Sequence, residues 1–176
     1  MIRIPRFAVV VSVALAVLNG CASVPRDTDE ARDFAHKKME LTEFRRPAKE
    51  FAAVGEKLRA FADRCIHETV ILHHRFHRAD ETGDTYLKFR TTYVKEDGRA
   101  ELFVQKDLGN MTNLPDGGLF YFYAEAEAPK GPDFPVRLYS MDSYGFRSRN
   151  IAAALQSNLT AGSSTCPTFN PDPDNL

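Results

Sequence analysis

The sequence predicts an α+β domain, in which an antiparallel meander of about five strands carries an N-terminal and a C-terminal helix on one face. Apolar residues recur at helical spacing near both ends of residues 47–176 and at alternate positions between them. Asp97-Gly98 lies between two alternating segments, and this dipeptide is typical of a β-hairpin turn. A sheet with one apolar face is stabilised when helices cover that face. The length of 176 residues suits one such domain.

The first predicted helix runs from Pro47 to Cys65. Proline is tolerated in the first turn of a helix, where its missing N–H leaves no bond unmade. Gly55 weakens the middle of this helix and indicates a close approach by a neighbouring element. Its apolar face comprises Phe51, Val54, Leu58, Phe61, Ala62 and Cys65.

Five strands are predicted between the two helices. They occupy 69–78, 85–95, the segment after Gly98, 119–128 and 134–142. A two-residue turn at Asp97-Gly98 pairs Tyr93 with Leu102 and Thr91 with Val104. The side chains expected to face the helices are Leu87, Phe89, Tyr93, Leu102, Val104, Phe120 and Phe122.

The second predicted helix covers 147–161, where Ile151, Leu155 and Leu159 are spaced four apart and Gly162 is a plausible stop. Residues 29–41 carry thinly spaced apolar side chains among many charges. This segment reads either as a weak helix or as part of a tether.

Residues 1–20 have the organisation of a secretory signal peptide. Arg3 and Arg6 precede twelve residues, 7–18, of which only Ser12 is polar. Twelve helical residues reach roughly 18 Å, whereas a bilayer core is about 30 Å thick, so a spanning helix is not expected.

The residues that end this segment, Leu18-Asn19-Gly20-Cys21, resemble the lipobox of bacterial lipoproteins. The resemblance implies cleavage before Cys21, a thioether-linked diacylglyceryl group on its sulfur and a third acyl chain on its amine. Several acyl chains together anchor a protein stably. Ala22 and Ser23 stand where an inner-membrane lipoprotein has Asp, which implies the outer membrane, facing the periplasm. Residues 21–46 are then the lipidated N-terminus and tether. The order of elements is also similar to that of small proteobacterial outer-membrane lipoproteins of unknown function, and it implies no activity.

Two cysteines remain once Cys21 is assigned to the lipid. Cys65 and Cys166 are predicted to form a disulfide, because an exported chain with an even number of cysteines meets an oxidising compartment. A redox or nucleophilic thiol, and a pair of free buried thiols, remain as alternatives.

Charge and histidine spacing exclude some functions and disfavour others. With 23 basic and 24 acidic residues, the chain is not a polybasic nucleic-acid binder. The clustered histidines are His67, His73, His74 and His77. On a strand, His73 and His77 lie about 13 Å apart, so no metal or other cofactor is expected. The enzymatic alternative joins His73 or His77 to a distant acid, Glu101 or Asp107.

No catalytic residue is predicted elsewhere. Glu125 and Glu127 share one strand face, as a catalytic acid pair could, but they equally match the exposed face of an antiparallel strand. Ser163, Ser164 and Thr165 lack a nucleophile elbow.

The strand at 119–128 holds more aromatic residues than a one-sided core needs. Tyr121 and Tyr123 are expected to be exposed; alternatively they line a second apolar surface that binds a lipid, a peptidoglycan fragment or a protein. The functional hypothesis is an outer-membrane-anchored periplasmic lipoprotein, non-enzymatic, that binds a ligand or serves in envelope assembly. Its partners are the membrane, through the acyl chains on Cys21, and an envelope protein or lipid. The alternative is a periplasmic enzyme acting on cell-envelope material.

Overall fold

A computed structural model describes residues 24–66, 69–75, 82–96, 98–107, 114–142 and 148–169. These residues form three α-helices and six strands, with one short 3-10 turn at Ala48–Glu50. In chain order the elements are α1 (Thr28–Lys38), β1 (Glu40–Pro47), α2 (Phe51–Cys65), β2 (Thr69–Arg75), β3 (Thr82–Glu96), β4 (Arg99–Asp107), β5 (Leu119–Glu127), β6 (Asp133–Ser140) and α3 (Ser148–Ala161).

The strands form one antiparallel sheet in the order β1-β6-β5-β4-β3-β2. Strands β2 to β6 are the predicted five-stranded meander, so the α+β class and the antiparallel sheet are confirmed. A sixth strand, β1, pairs with β6 over its whole length, from Glu40 opposite Ser140 to Pro47 opposite Asp133.

The predicted tether of residues 21–46 is therefore too long, because α1 and β1 belong to the domain. The Asp27 side chain accepts a hydrogen bond from the backbone N–H of Glu30 and so caps α1, a favourable contact that satisfies one free donor. Acidic residues in the first turn and basic residues in the last turn interact favourably with the helix dipole. The hydrophobic signal was weak because α1 fully buries only two small side chains, Ala31 and Ala35.

Helices α2 and α3 pack on one face of the sheet, as predicted, and we call it the helix-pair face. Among its buried residues are Leu58, Phe61, Leu102, Val104, Phe122, Ile151, Leu155 and Leu159. A Cβ built at Gly55 would lie 3.2 Å from the Tyr93 hydroxyl and 3.3 Å from the Ala100 Cβ. Gly55 therefore lets α2 approach the sheet closely, as its place in the sequence indicated.

Cys65 and Cys166 lie at disulfide distance, with 2.00 Å between their sulfurs and 5.1 Å between their Cα atoms. Such a Cα separation is within the usual range for a disulfide. The bond joins the last residue of α2 to the segment that follows α3, across a sequence separation of 101.

The predicted β3–β4 register is confirmed, with Tyr93 opposite Leu102 and Thr91 opposite Val104. The predicted orientation of Phe120 is wrong. The β4–β5 register shifts between Val104 and Gln105, which face Phe122 and Phe120, so Tyr121 is the extra residue of a bulge. As a result Tyr121 joins the helix-pair face and Phe120 turns to the opposite face.

Candidate functional site

Four aromatic rings cross the face of the sheet opposite the helix pair. We call them the aromatic ladder: Phe120, Phe103, Tyr123 and Tyr139, from strands β5, β4, β5 and β6. Successive ring centroids are 6.1, 4.7 and 5.4 Å apart, the last two pairs being stacked. Helix α1 packs on this face through Ala31 and Ala35, so the sheet is covered on both sides.

Two carboxylates are buried on the same face. Glu101 of β4 and Glu125 of β5 are directly opposed in the register and are 1% and 2% exposed. The Tyr123 hydroxyl lies between them, 2.5 Å from Glu101 Oε1 and 2.7 Å from Glu125 Oε2. A phenol has one hydrogen, so Tyr123 donates to one carboxylate at a time.

Arginines from two sides compensate these charges. Arg32 of α1 donates twice to Glu101, from Nε at 2.7 Å and from Nη2 at 2.8 Å. Arg137 of β6 donates to Glu125 Oε1 at 3.3 Å, and Arg99 lies 3.9 Å from Glu101. A two-pronged arginine–carboxylate contact is both strong and geometrically specific. Pairing of this kind is required because an unpaired charge is costly to bury.

The cluster shifts the proton affinities of its members. Burial alone would raise the pKa of Glu101, but the hydrogen bonds from Arg32 and Tyr123 outweigh burial and hold that pKa below its usual value. Burial and the two neighbouring carboxylates raise the pKa of the Tyr123 hydroxyl. Burial and the nearby Glu125 raise the pKa of Tyr139 to about 12. Both tyrosines therefore act here as neutral hydrogen-bond donors.

His36 is the second polar contact of α1 with this face. Its Nε2 lies 3.3 Å from Glu125 Oε1, and its ring centroid lies 5.0 Å from that of Tyr139. The histidine side chain is 40% exposed, so it sits at the rim of the buried cluster.

The structure corrects the expected exposure of the β5 side chains. Glu125 was predicted on the solvent face, but it is buried under α1 because that helix covers the sheet. Glu127 lies at the rim, 42% exposed, with Arg99 at 3.5 Å. Tyr121 and Tyr123 are 5% and 1% exposed, so the expectation of exposed tyrosines is wrong; they pack on opposite faces.

Sequence reasoning missed Arg32 as a partner of the acids. One signal was available: the predicted β3–β4 register and the β5 alternation place two glutamates on one face of neighbouring strands. Like charges directly opposed across strands are destabilising, so cations close to the two glutamates are needed. What the sequence could not show is that the segment carrying Arg32 folds back over the sheet.

Several predicted residues lie outside the part of the chain that is described. These are Cys21, His67 and His77. His73 and His74 lie in β2, opposite Asp84 and Gly83, but their side chains are outside the described part. Glu101, considered above as the partner of a strand histidine, is bound by Arg32 and Tyr123. Within the described ranges, no group of three or more His, Cys, Asp or Glu side chains could hold a metal ion.

Comparison with known proteins gives no family assignment. No protein-family model matches the chain, and no curated protein matches it. In the described residues, no helix is both long enough and apolar enough to cross a membrane.

Acid should destabilise this cluster through Glu101. Because its folded pKa lies below the unfolded value of about 4.3, its ionised form contributes stability above about pH 5, and that contribution is lost as the pH falls through the folded pKa. We expect the free energy of unfolding to fall more steeply between about pH 5 and pH 3 for the wild type than for Glu101→Gln. Urea titrations at each pH measure this difference. If the free energy of unfolding fell equally steeply with pH in both proteins, the assignment of this acid sensitivity to Glu101 would be contradicted.

Proposed function

We propose that this protein is an outer-membrane lipoprotein, anchored through acyl chains on Cys21, that binds an envelope protein in the periplasm. The observation that supports this most is how closely the lipobox residues precede the folded domain. Five residues lie between Cys21 and Asp27, the cap of α1, and the six residue steps from one to the other span about 20 Å at most when extended. The acyl chains would therefore hold α1, together with the sheet face that it covers (the α1 face), close to the membrane surface.

The state of the acid cluster favours binding over catalysis. An acid–base pair must be able to reach its substrate, whereas Glu101 and Glu125 lie beneath α1. Glu101 already accepts hydrogen bonds from Arg32 and Tyr123, and Glu125 already accepts one from Arg137. Through these hydrogen bonds, Glu101 and Glu125 hold elements of the fold together. The alternative of a periplasmic enzyme acting on envelope material would require α1 to leave first.

A protein is favoured over a lipid as the ligand. The sheet face under α1 has aromatic rings, but it also holds two buried carboxylates. An acyl chain in place of α1 would remove both hydrogen bonds that Arg32 donates to Glu101, and weaker pairing of a buried charge is costly. A protein segment can supply both the cation and the apolar contact.

Replacing Cys21 by Ser should abolish labelling of the protein by an alkynyl fatty acid fed to the producing cells, because serine offers no thiol for the thioether. Ser23→Ala is the matched control, since it changes a neighbouring polar residue and leaves the thiol in place. We expect Ser23→Ala to label as strongly as the wild type and to fractionate with the outer membrane. Undiminished labelling of Cys21→Ser would contradict the proposal.

A further inference from the structure

We propose that the outer edge of β1 is a homodimer interface, at which β1 of a second copy of this chain pairs antiparallel with it and joins the two sheets into one. The two-fold axis passes beside Phe44, so that Phe44 faces Phe44 and Glu43 faces Arg45 of the second copy. This inference goes beyond the anchor and the binding role proposed above and depends on neither.

Strand β1 is an edge strand whose pairing is uninterrupted. It is the last strand of the sheet on one side, and its 8 residues pair with β6 alone and without a bulge. Its one proline, Pro47, stands at its end. Bulges and prolines are among the devices that protect edge strands from pairing with other chains. Neither device interrupts β1, so its outer row of backbone donors and acceptors can bind a further strand.

The backbone groups that point outward belong to Leu41, Glu43 and Arg45. The N–H of Ala48, just past the end of β1, donates to the Pro132 carbonyl at 2.9 Å and so continues the register of β1 with β6. Residues of an antiparallel strand bond alternately to one neighbour and to the other, so the even-numbered residues of β1 bond to β6. The odd-numbered residues therefore direct their N–H and C=O groups away from the sheet.

The charges of β1 favour a second copy as the partner. Glu40 and Glu43 lie in the first half of the strand, whereas Arg45 and Arg46 lie in the second half. A pairing centred on Phe44 places Glu43 of each copy directly opposite Arg45 of the other, and opposite charges in such cross-strand pairs are stabilising. A pairing centred on Glu43 would instead oppose two like charges.

Glu43 and Arg45 can make these contacts without losing their present partners. The Nε of Arg137 donates to Oε2 of Glu43 at 2.7 Å, and the Nε of Arg45 donates to Asp133 at 2.7 Å. Glu43 and Arg45 are 40% and 60% exposed, and each has further hydrogen-bonding atoms. Dimerisation therefore extends the row of alternating charges from Asp133 and Arg45 of one copy to Glu43 and Arg137 of the second copy.

The same register satisfies the outward backbone groups. Glu43 and Arg45 of opposite copies would exchange two hydrogen bonds at each of two sites, and each Leu41 N–H would donate to the Pro47 carbonyl of the other copy, which makes about six bonds. Pro47 has no N–H, but it falls at the end of the paired segment, where a missing donor is tolerated. On the helix-pair face the two Phe44 side chains form an aromatic cross-strand pair.

The symmetry of this dimer is compatible with two anchored copies. A two-fold axis perpendicular to the sheet leaves α1 of both copies on the same side of the joined sheet. Acyl chains on the two Cys21 residues would then enter one membrane. Confinement to that membrane would raise the effective concentration of the two strands.

Cysteine pairs test the register directly. Residues 21–176 are produced with Cys21→Ser as the parent chain, and Glu43→Cys and Arg45→Cys versions of it are mixed and mildly oxidised. Directly opposed residues have Cα atoms about 5.5 Å apart, which suits a disulfide. We expect the mixture to form disulfide-linked dimers at least about tenfold faster than Glu43→Cys mixed with Arg59→Cys, a control at an exposed position on α2. Either variant alone should be as slow as this control.

Charge reversal tests the same interface without added thiols. The parent chain should dimerise reversibly in sedimentation equilibrium at up to about millimolar concentration. Glu43→Arg should weaken the dimer at least about tenfold, because two like-charge pairs replace two opposite-charge pairs. Combining Glu43→Arg with Arg45→Glu restores opposite charges across the interface and should bring the dissociation constant to within about threefold of the parent value. Circular dichroism checks that each variant is folded.

The proposal is overturned if the cysteine mixture cross-links no faster than the control, or if Glu43→Cys alone cross-links as fast as the mixture. A parent chain that stays monomeric, or a double reversal that dimerises no better than Glu43→Arg, would also overturn it. Every sample lacks the Cys21 thiol, so these results do not depend on acylation, whereas fatty-acid labelling tests the anchor alone.

Discussion

Replacing Phe103 by Ala should lower the free energy of unfolding by about 3–5 kcal/mol, the range typical of a phenylalanine truncated inside a core. Phe103 is fully buried on the α1 face, stacked on Tyr123 at 4.7 Å between ring centroids. By strand alternation it points away from Leu102 and Val104, so a sheet with a single buried face would expose it. Chemical denaturation of wild type and variant measures the loss.

The matched control is Leu41→Ala in β1, a large apolar side chain that is 50% exposed. Truncation of an exposed side chain should change the free energy of unfolding by no more than about 0.5 kcal/mol. A Phe103→Ala effect as small as that of Leu41→Ala would mean that the α1 face is open to solvent.

Loss of the Cys65–Cys166 bond should cost about 2–5 kcal/mol of stability. The bond spans a sequence separation of 101, so in the oxidised protein it restricts a large part of the unfolded chain. We expect Cys166→Ala to unfold at lower denaturant concentration than the oxidised wild type. Cys166 is the better position to change because Cys65 is buried, and replacement of Cys65 would also disturb core packing.

Reduction of the wild type provides the control for this experiment. Dithiothreitol should bring the wild type close to Cys166→Ala and should leave the variant itself unchanged. Equal stability of the oxidised and reduced wild type would show that the two thiols are not joined in solution.

The parts of the fold that follow from local patterns were predictable. Helical spacing located α2 and α3, and the Asp97-Gly98 turn fixed the β3–β4 register, because each depends on residues close together in sequence. The bulge at Tyr121 was not predictable. The sequence of β5 is compatible with strict alternation of side chains between the two faces, and only the packed structure reveals the extra residue.

The acid cluster was predictable only in part. The sequence placed Glu125 correctly on the face opposite the helix pair but could not show that this face is covered. Helix α1 carries a weak hydrophobic signal because it docks through two alanines and two polar contacts, and its partners lie far along the chain. Arg32 and Glu101 are 69 positions apart, a separation that no local pattern spans.

The central claim is that α1 lies on the sheet and is held there by Arg32 and Glu101. A double-mutant cycle of Arg32→Ala, Glu101→Ala and the combined variant, followed by urea denaturation, tests it most directly. Since Arg32 is partly exposed, its hydrogen bonds to a buried carboxylate should give a coupling energy of about 1–3 kcal/mol. Additivity of the two single effects to within about 0.5 kcal/mol would contradict the docked helix.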